Sequence, residues 1–275
     1  MAFSVNTNAG AFAALQNLNK TSDKLSQVQT QINTGLKVAS AKDNAAVFAI
    51  AQKLRGDVAG LGAVKGSLDR ASSTLDVALA AGEAVSDLLI SLKEKAVAAK
   101  DSGLDTASRT SLNNDFTQLR DQITSIVNNA EFNGTNAVKN GGTAIVAITN
   151  DTGSNTITIA AQDLSLTGGK VTITAATAIN TAALASAAVT KLESSIANVN
   201  TALSALGSGA NRLDLQRTFV NKLSDSIEVG IGNLVDADLA KTSASLQSLQ
   251  VKQQLGLQAL SIANQAPGTV LSLFQ

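Results

Sequence analysis

The chain of 275 residues has no cysteine, histidine, tryptophan or tyrosine, and it has a single proline. Without cysteine, neither a disulfide framework nor a thiolate metal site can form. Without histidine, a Ser-His-Asp triad and a His-Glu-Xaa-Xaa-His zinc helix are both excluded. The only aromatic residues are seven phenylalanines, so any core must be built mainly from Ala, Leu, Val and Ile. This composition favours helices packed on helices through small, regular contacts.

Charge is also scarce, at 15% of residues, against about a quarter in ordinary domains. The formal net charge is zero, and no basic cluster predicts nucleic-acid binding. The N-terminus lacks the pattern of a secretory signal peptide, and no apolar run reaches the roughly 18 residues of a membrane span, so we expect neither. A monomer with mean hydropathy of +0.15 would expose much apolar surface, which predicts burial in an assembly.

The first part of the chain, to about residue 133, carries apolar residues at helical spacing. One row recurs every seven residues and has further apolar residues beside it: Ala11, Leu18, Leu25, Ile32 and Ala39, with Leu15, Val28 and Leu36. A seam of this kind requires a partner helix. We predict a break at 40–43, a long second helix to about Lys100, and a third helix that ends before the turn at Asn133-Gly134.

The middle of the chain, about 135–181, is rich in Thr, Ala, Gly and Asn. Short β-branched runs at 144–149, 156–160 and 171–174 predict two or three strands, including a hairpin that packs on the helices. From about residue 182 the pattern is helical again. The glycines at 207–209 predict either a break or a tolerated weak point, those at 229–233 predict a break, and Pro267 is expected to end the last helix.

The two ends carry almost no charge. Residues 1–36 have only Lys20, Asp23 and Lys24, and residues 242–275 have only Lys252. A helix that is apolar on several faces is normally buried, although chain ends are usually exposed. Both observations hold if the ends pair and are then buried among neighbouring copies. The predicted fold is mainly α, a long antiparallel helical bundle or coiled coil from both chain halves with a small β-hairpin region in the middle.

Several motifs now point to one family. The motifs of the N-terminal half are Phe3-Ser4-Val5-Asn6-Thr7-Asn8, the segment 32–46 (INTGLKVASAKDNAA) and Glu131-Phe132-Asn133-Gly134. The motifs of the C-terminal half are Gly209-Ala210-Asn211-Arg212-Leu213, the segment 234–240 (LVDADLA), and the tail 258–267 with 270–274. Together they resemble the bacterial flagellins, in a short form with a minimal central region.

The resemblance implies a structural subunit that polymerises with itself into the flagellar filament for swimming motility, with no enzymatic role, cofactor or metal. It implies export unfolded through the flagellar type III apparatus, without a cleaved signal peptide, to an extracellular filament. Expected partners are other copies, an export chaperone, the filament cap and hook-junction proteins, with no nucleic acid and no membrane span. The domains expected are a terminal coiled coil, 1–42 with 233–275, and a helical rod, 43–232, that includes the β-rich segment 135–181.

Two alternatives come from other protein classes. A hook–filament junction protein shares the design of the ends, but the closing motif and Asp236-Ala237-Asp238 favour a flagellin proper. A type III needle-tip or translocator protein would carry membrane-active segments or a separate tip domain, and neither is visible. Asp236 and Asp238 could suggest a metal site, but we interpret them as a helix start, because Asp is favoured at caps and first turns.

Assembly is predicted to rest on the large apolar residues of both ends, which we expect to be disordered in the monomer and ordered in the filament. The N-terminal set is Phe3, Val5, Phe12, Leu15, Leu18, Leu25, Val28, Ile32 and Leu36. The C-terminal set is Leu239, Leu246, Leu249, Leu255, Leu257, Leu260, Leu271 and Leu273. One further segment departs from the family. Ser91 and Lys93 stand where many flagellins have two arginines that an animal toll-like receptor recognises, which predicts weak receptor activation.

Overall fold

A computed structural model describes residues 7–271 of the chain, and it describes side chains through Gln265. The elements are α1 (Ala9–Thr34), α2 (Ala45–Ala99), α3 (Thr106–Asn129), β1 (Ile145–Ile148), β2 (Thr156–Ile159), α4 (Ala182–Val235) and α5 (Leu239–Leu271). The prediction of a mainly α fold with a central hairpin is confirmed. Phe3, Val5 and Leu273 lie outside the described residues, and the side chain of Leu271 lies outside the described side chains.

Helix α1 begins and ends where its sequence supplies caps. The side-chain oxygen of Asn8 accepts from the N–H of Ala11 at 3.0 Å, and Gly35 adopts φ +71° as the C-cap. The seven-residue row therefore leaves the helix after Ile32, and Ala39 lies in the following loop. The predicted break at 40–43 is confirmed, because the Asp43 carboxylate accepts from the N–H groups of Ala39 and Ser40.

The chain forms two compact units, the first from 1–56 with 226–275 and the second from 57–225. In the first unit α1 and α5 run antiparallel, and we call them the terminal pair. Near one end Asn8 contacts Ala263, further along Leu18 contacts Gly256, and beyond α1 Leu36 forms an antiparallel bridge with Asp236. The units differ from the predicted domain limits at 42/43 and 232/233, which remain a prediction about the filament.

The second unit has an apolar core to which α2, α3 and α4 contribute. Its fully buried side chains include Leu75 and Leu89 of α2, Phe116 of α3 and Leu206 of α4. None of the helices within residues 7–271 combines the length and hydropathy needed to cross a membrane.

The hairpin packs on this helical core, as predicted. Strands β1 and β2 are antiparallel, with Ile145 paired to Ile159. The Ser67 hydroxyl of α2 accepts from the N–H of Ile148 at 3.2 Å. From α4, the side-chain amide of Gln216 donates to the carbonyl of Thr149 at 3.2 Å. Two helices therefore hold the end of β1 through its main chain.

Of the two or three strands predicted, two form. The break predicted at 229–233 is wrong, whereas 207–209 is the tolerated weak point that the sequence left open beside a break. Residues 171–174 form only an isolated bridge, because the N–H of Thr172 donates to the Ser195 hydroxyl of α4 instead of to a strand. Helix α4 runs unbroken through 207–209 and 229–233. Gly209 is buried there against β2, where an added Cβ would lie 2.8 Å from Cδ1 of Ile159. A glycine inside a helix thus serves close packing rather than a break.

The expectation that Pro267 ends the last helix is also wrong, because α5 continues to Leu271. Proline has no N–H, so the carbonyl of Ala263, four residues earlier, loses its helical donor. The side-chain amide of Asn8 donates to this carbonyl at 2.6 Å. The N-terminal end of α1 thus supplies the hydrogen bond that proline withholds, and we call this contact the Asn8–Ala263 clasp.

Candidate assembly surface

The terminal pair is joined by a heptad seam that includes four of the nine predicted N-terminal residues. In α1 the half-buried positions alternate in steps of three and four: Ala11, Ala14, Leu18, Thr21, Leu25, Val28 and Ile32. In α5 the matching positions are Thr242, Leu246, Leu249, Gln253, Gly256, Leu260 and Ala263. This spacing is that of a coiled coil. The sequence prediction included Ala11 in its seven-residue row but missed Ala14, Thr21 and the small and polar members of α5, although their spacing from the leucines could have revealed them.

The close approach of α1 and α5 at Leu18 depends on glycine at position 256, which has no side chain. A Cβ added to Gly256 would lie 3.2 Å from Cδ1 of Leu18, which is tight. Further along α1, Leu25 and Val28 continue the seam as half-buried side chains. The two helices therefore approach closely where Gly256 lies.

The seam does not make a sealed core within one chain. No residue of α1 is buried, and in α5 through Gln265 the only buried residue is Thr242. In the second unit, by contrast, large side chains such as Phe116 are fully buried. The terminal pair therefore leaves most of its apolar surface uncovered.

The remaining predicted residues with described side chains face away from the seam. They are Phe12, Leu15, Leu239, Leu255 and Leu257, joined by Val251 and Ile262, and all seven are exposed. Phe12 and Ile262 are extreme cases, at 65% and 70% exposed. Val251, Leu255 and Ile262 share the face of α5 opposite the seam, because a helix turns about 100° per residue. The predicted set thus divides into seam residues and outward residues.

Leu36 has a third position, in a small cluster that closes the first unit. The N–H groups of Lys37 and Val38 donate to the carbonyl of Val235 at 2.6 and 3.2 Å, and Ala237 N–H donates to the carbonyl of Gly35 at 2.9 Å. Val38, Ala51 and Val235 are buried beneath these bonds, and Leu36 packs against them. We call this group of hydrogen bonds and side chains the closure.

The two aspartates beside the closure have structural roles. Asp238 caps α5 by accepting from the N–H of Lys241 at 3.0 Å. Asp236 pairs with Leu36 in the antiparallel bridge. The interpretation of this segment as a helix start is confirmed for Asp238.

In the segment with the family departures, side chains are engaged within the second unit. Lys93 forms an ion pair with Glu193 of α4 at 2.9 Å, and Lys95 forms one with Asp115 of α3 at 3.0 Å. The Ser91 hydroxyl donates to the carbonyl of Asp87 in its own helix at 3.1 Å. No guanidinium fork is available at these two positions.

The comparisons with known proteins agree on one family. Residues 5–143 match the bacterial flagellin N-terminal helical region, and residues 189–274 match the bacterial flagellin C-terminal helical region. Flagellin FljM of Caulobacter vibrioides is 50% identical over 272 residues, which cover 99% of this chain and 98% of that protein. The chain belongs to the bacterial flagellin family. It is a structural subunit of the flagellar filament, an extracellular assembly.

Other relatives of this flagellin differ in length. A flagellin of Brucella melitensis is 35% identical over 288 residues, with 99% of each chain covered. Flagellin A of Rhizobium meliloti is 31% identical over 396 aligned positions, which cover 99% of this chain and 100% of that protein.

Among solved structures, the crystal structure of Bacillus cereus flagellin matches with a TM-score of 0.50 and 26% identity, covering 56% of this chain and 88% of that one. A putative flagellar hook-associated protein from Vibrio parahaemolyticus matches with a TM-score of 0.56, covering 70% of this chain and all of that one. At 16% identity, the second match shows a shared fold alone. The hook-junction alternative is not favoured, since the relatives with high identity over the full length are flagellins.

Proposed function

We propose that this flagellin polymerises through its terminal pair, and that the predicted assembly residues act in two ways. Leu18, Leu25 and Val28 hold α1 to α5 within one chain. Outward residues such as Phe12 and Leu255 are covered by other copies. The observation that carries the proposal is the absence of any buried residue in α1, combined with a nearly uncharged surface.

The energetics require several neighbours. Covering one exposed aliphatic side chain contributes at most about 1.5–3 kcal/mol. Association costs an estimated 4–15 kcal/mol in lost translation and rotation, and ordering the side chains costs more. A single contact between two terminal pairs therefore cannot hold a subunit, but contacts on several faces of the pair can. Outward apolar residues on more than one face of α5 fit this requirement.

The proposal extends to delivery and partners. The family resemblance supports export of the unfolded chain through the flagellar type III apparatus without cleavage of a signal peptide. It also supports contacts with an export chaperone, the filament cap and hook-junction proteins, and a structural rather than an enzymatic role. Mass spectrometry of secreted filaments tests the export step, and loss of an N-terminal segment from the secreted chain would contradict it.

Electron microscopy under polymerising conditions tests the assembly proposal. Intact chains are compared with chains that lack residues 1–36 and 242–275, each with and without short filament seeds. We expect filaments from the intact chain alone. Circular dichroism checks that the truncated chain keeps its helices, so that failure to assemble is not failure to fold. Filaments from the truncated chain would refute the role of the ends.

A separate proposal concerns the innate receptor. We propose weak activation of the toll-like receptor, because Ser91 and Lys93 offer no arginine fork and Lys93 is paired with Glu193. A reporter-cell assay compares the native chain with a Ser91→Arg/Lys93→Arg variant. We expect the variant to be the more potent, and full potency of the native chain would contradict the proposal.

A further inference from the structure

The few charges of the two chain ends are gathered in one place. Residues 1–36 and 242–275 together contain Lys20, Asp23, Lys24 and Lys252 as their only charged side chains. All four line a single hollow on one side of the terminal pair, together with Asn17. We call this the charged hollow. Three lysines face one aspartate there, so the hollow is positively charged.

The opposite side of the terminal pair carries exposed apolar side chains. A helix turns about 100° per residue, so Leu15 and Asn17 of α1 point about 160° apart. The contacts of Asn8 with Ala263 and of Leu18 with Gly256 set the antiparallel register.

This register places Leu15 of α1 across from Leu257 of α5. The two leucines are 43% and 55% exposed, and Phe12 lies one turn before Leu15 at 65%. We call Phe12, Leu15 and Leu257 the apolar side.

The two sides behave differently when copies associate. Burying a lysine without an anionic partner costs several kcal/mol, because the charge loses its hydration. A neighbouring terminal pair offers Asp23 as its only described acid, which cannot neutralise three lysines. The apolar side has no such penalty, and each Å² of apolar surface removed from water contributes about 25 cal/mol. An uncharged apolar surface on one copy is thus complementary to the same kind of surface on the next.

We propose that a second copy of this chain packs against the apolar side of the terminal pair, and that the charged hollow stays in contact with water in the filament. This inference deepens the proposed function and rests on it. The inference states which side of the terminal pair faces a neighbouring copy in the filament. Phe12, Leu15 and Leu257 lie at a subunit contact, whereas Lys20, Lys24 and Lys252 do not.

The absence of cysteine from the chain allows a direct test. Asn17→Cys places a thiol in the charged hollow, and Asn19→Cys places one beside Phe12 and Leu15, one turn along α1. Both asparagines are exposed in the single chain, so the two variants are matched in chemistry and differ in direction. A small hydrophilic thiol reagent is applied to filaments and to dissociated subunits, and the labelling rates are compared.

In filaments we expect Asn19→Cys to be labelled about tenfold more slowly than in subunits, equivalent to ~1.4 kcal/mol of protection. Asn17→Cys is expected to keep its rate. Equal protection of both thiols, or protection of Asn17→Cys alone, would overturn the inference.

A second measurement avoids any substitution. Amine acylation of native filaments, read by mass spectrometry, should modify Lys20, Lys24 and Lys252 as readily as in subunits, and protection of these lysines would also overturn the inference. Failure of the native chain to form filaments at all would instead count against the proposed function.

Discussion

The Asn8–Ala263 clasp allows one prediction to be worked out in detail. The side chain of Asn8 has two roles, since its oxygen caps α1 and its amide donates to the carbonyl of Ala263. Asn8→Ser keeps a cap of similar strength, because Ser and Asn are about equally favoured as N-caps. It removes the donor to Ala263. Pro267→Ala restores the N–H that this carbonyl would otherwise receive from within α5.

The expected magnitude follows from one hydrogen bond. A typical intramolecular hydrogen bond contributes about 0.5–1.5 kcal/mol net. The chain ends are expected to become ordered only on polymerisation, so this bond forms with the filament. Asn8→Ser should therefore raise the critical concentration for polymerisation by roughly two- to twelvefold, since ~1.4 kcal/mol corresponds to a factor of ten. Sedimentation of filaments at a series of total protein concentrations measures this quantity. In the Pro267→Ala background the same substitution should have little effect, because the carbonyl already has a helical donor.

The four variants form a double-mutant cycle, and the coupling between the two positions decides the result. A coupling near the full cost of Asn8→Ser supports the clasp. Equal costs in both backgrounds would mean that the carbonyl of Ala263 does not depend on Asn8, and this would refute the reasoning. Asn8→Ala is the control for the cap, because it removes both roles and should cost more than Asn8→Ser in either background.

Three further predictions concern packing, pH and assembly. A Cβ added at Gly60 would lie 2.9 Å from the carbonyl oxygen of Asp151, whereas a Cβ added at Gly62 would meet open space. In thermal unfolding, Gly62→Ala should be about 1 kcal/mol more stable than the native chain, and Gly60→Ala should be about 1–3 kcal/mol less stable than Gly62→Ala. Equal melting temperatures of the two variants would contradict the hairpin contact. Asp105 accepts hydrogen bonds from Ser108, and these hold the pKa of the Asp105 carboxyl below the ordinary 3.8. The stabilisation of α3 by Asp105 is therefore present above pH 3.8 and is lost as the pH falls through the lowered pKa. Asp105→Asn should therefore lose less thermal stability than the native chain between pH 5 and pH 3, and parallel losses would contradict this. Leu18→Asp should block filament formation while circular dichroism shows the second unit folded, and normal filaments would refute the role of the seam.

Periodicity in the sequence predicted the elements that depend on repeated local patterns. Leu18, Leu25 and Ile32 indicated a seam because a seven-residue repeat leaves apolar residues on one side of a helix. The hairpin was predicted from β-branched runs flanked by turn residues, and β1 and β2 lie within those runs. Such signals depend only on near neighbours in the chain, so one sequence suffices to read them.

The failures share a physical cause, which is contact between residues distant in sequence. Gly209 reads as a helix breaker until Ile159 of β2 is placed against it. Pro267 reads as a helix end until Asn8, more than 250 positions away, replaces its missing hydrogen bond. Thr172 resembles a strand residue, yet its N–H donates to Ser195. Local propensity is a weak prior where a tertiary contact supplies or occupies a hydrogen-bonding group.

The closure has a consequence for how the chain can vary in length. Its hydrogen bonds join Gly35 to Ala237 and Val235 to Lys37, so the closure holds both ends of the roughly 200 residues that lie between them. The entropic cost of closing a flexible loop grows only with the logarithm of its length, by about 0.6 kcal/mol per doubling. A flexible segment inserted in a loop of this stretch would therefore change the stability of the closure very little. The alignment with the longer flagellin A of Rhizobium meliloti runs over 396 positions, and length added between Lys37 and Val235 of this chain would still let its two ends meet at the same few hydrogen bonds.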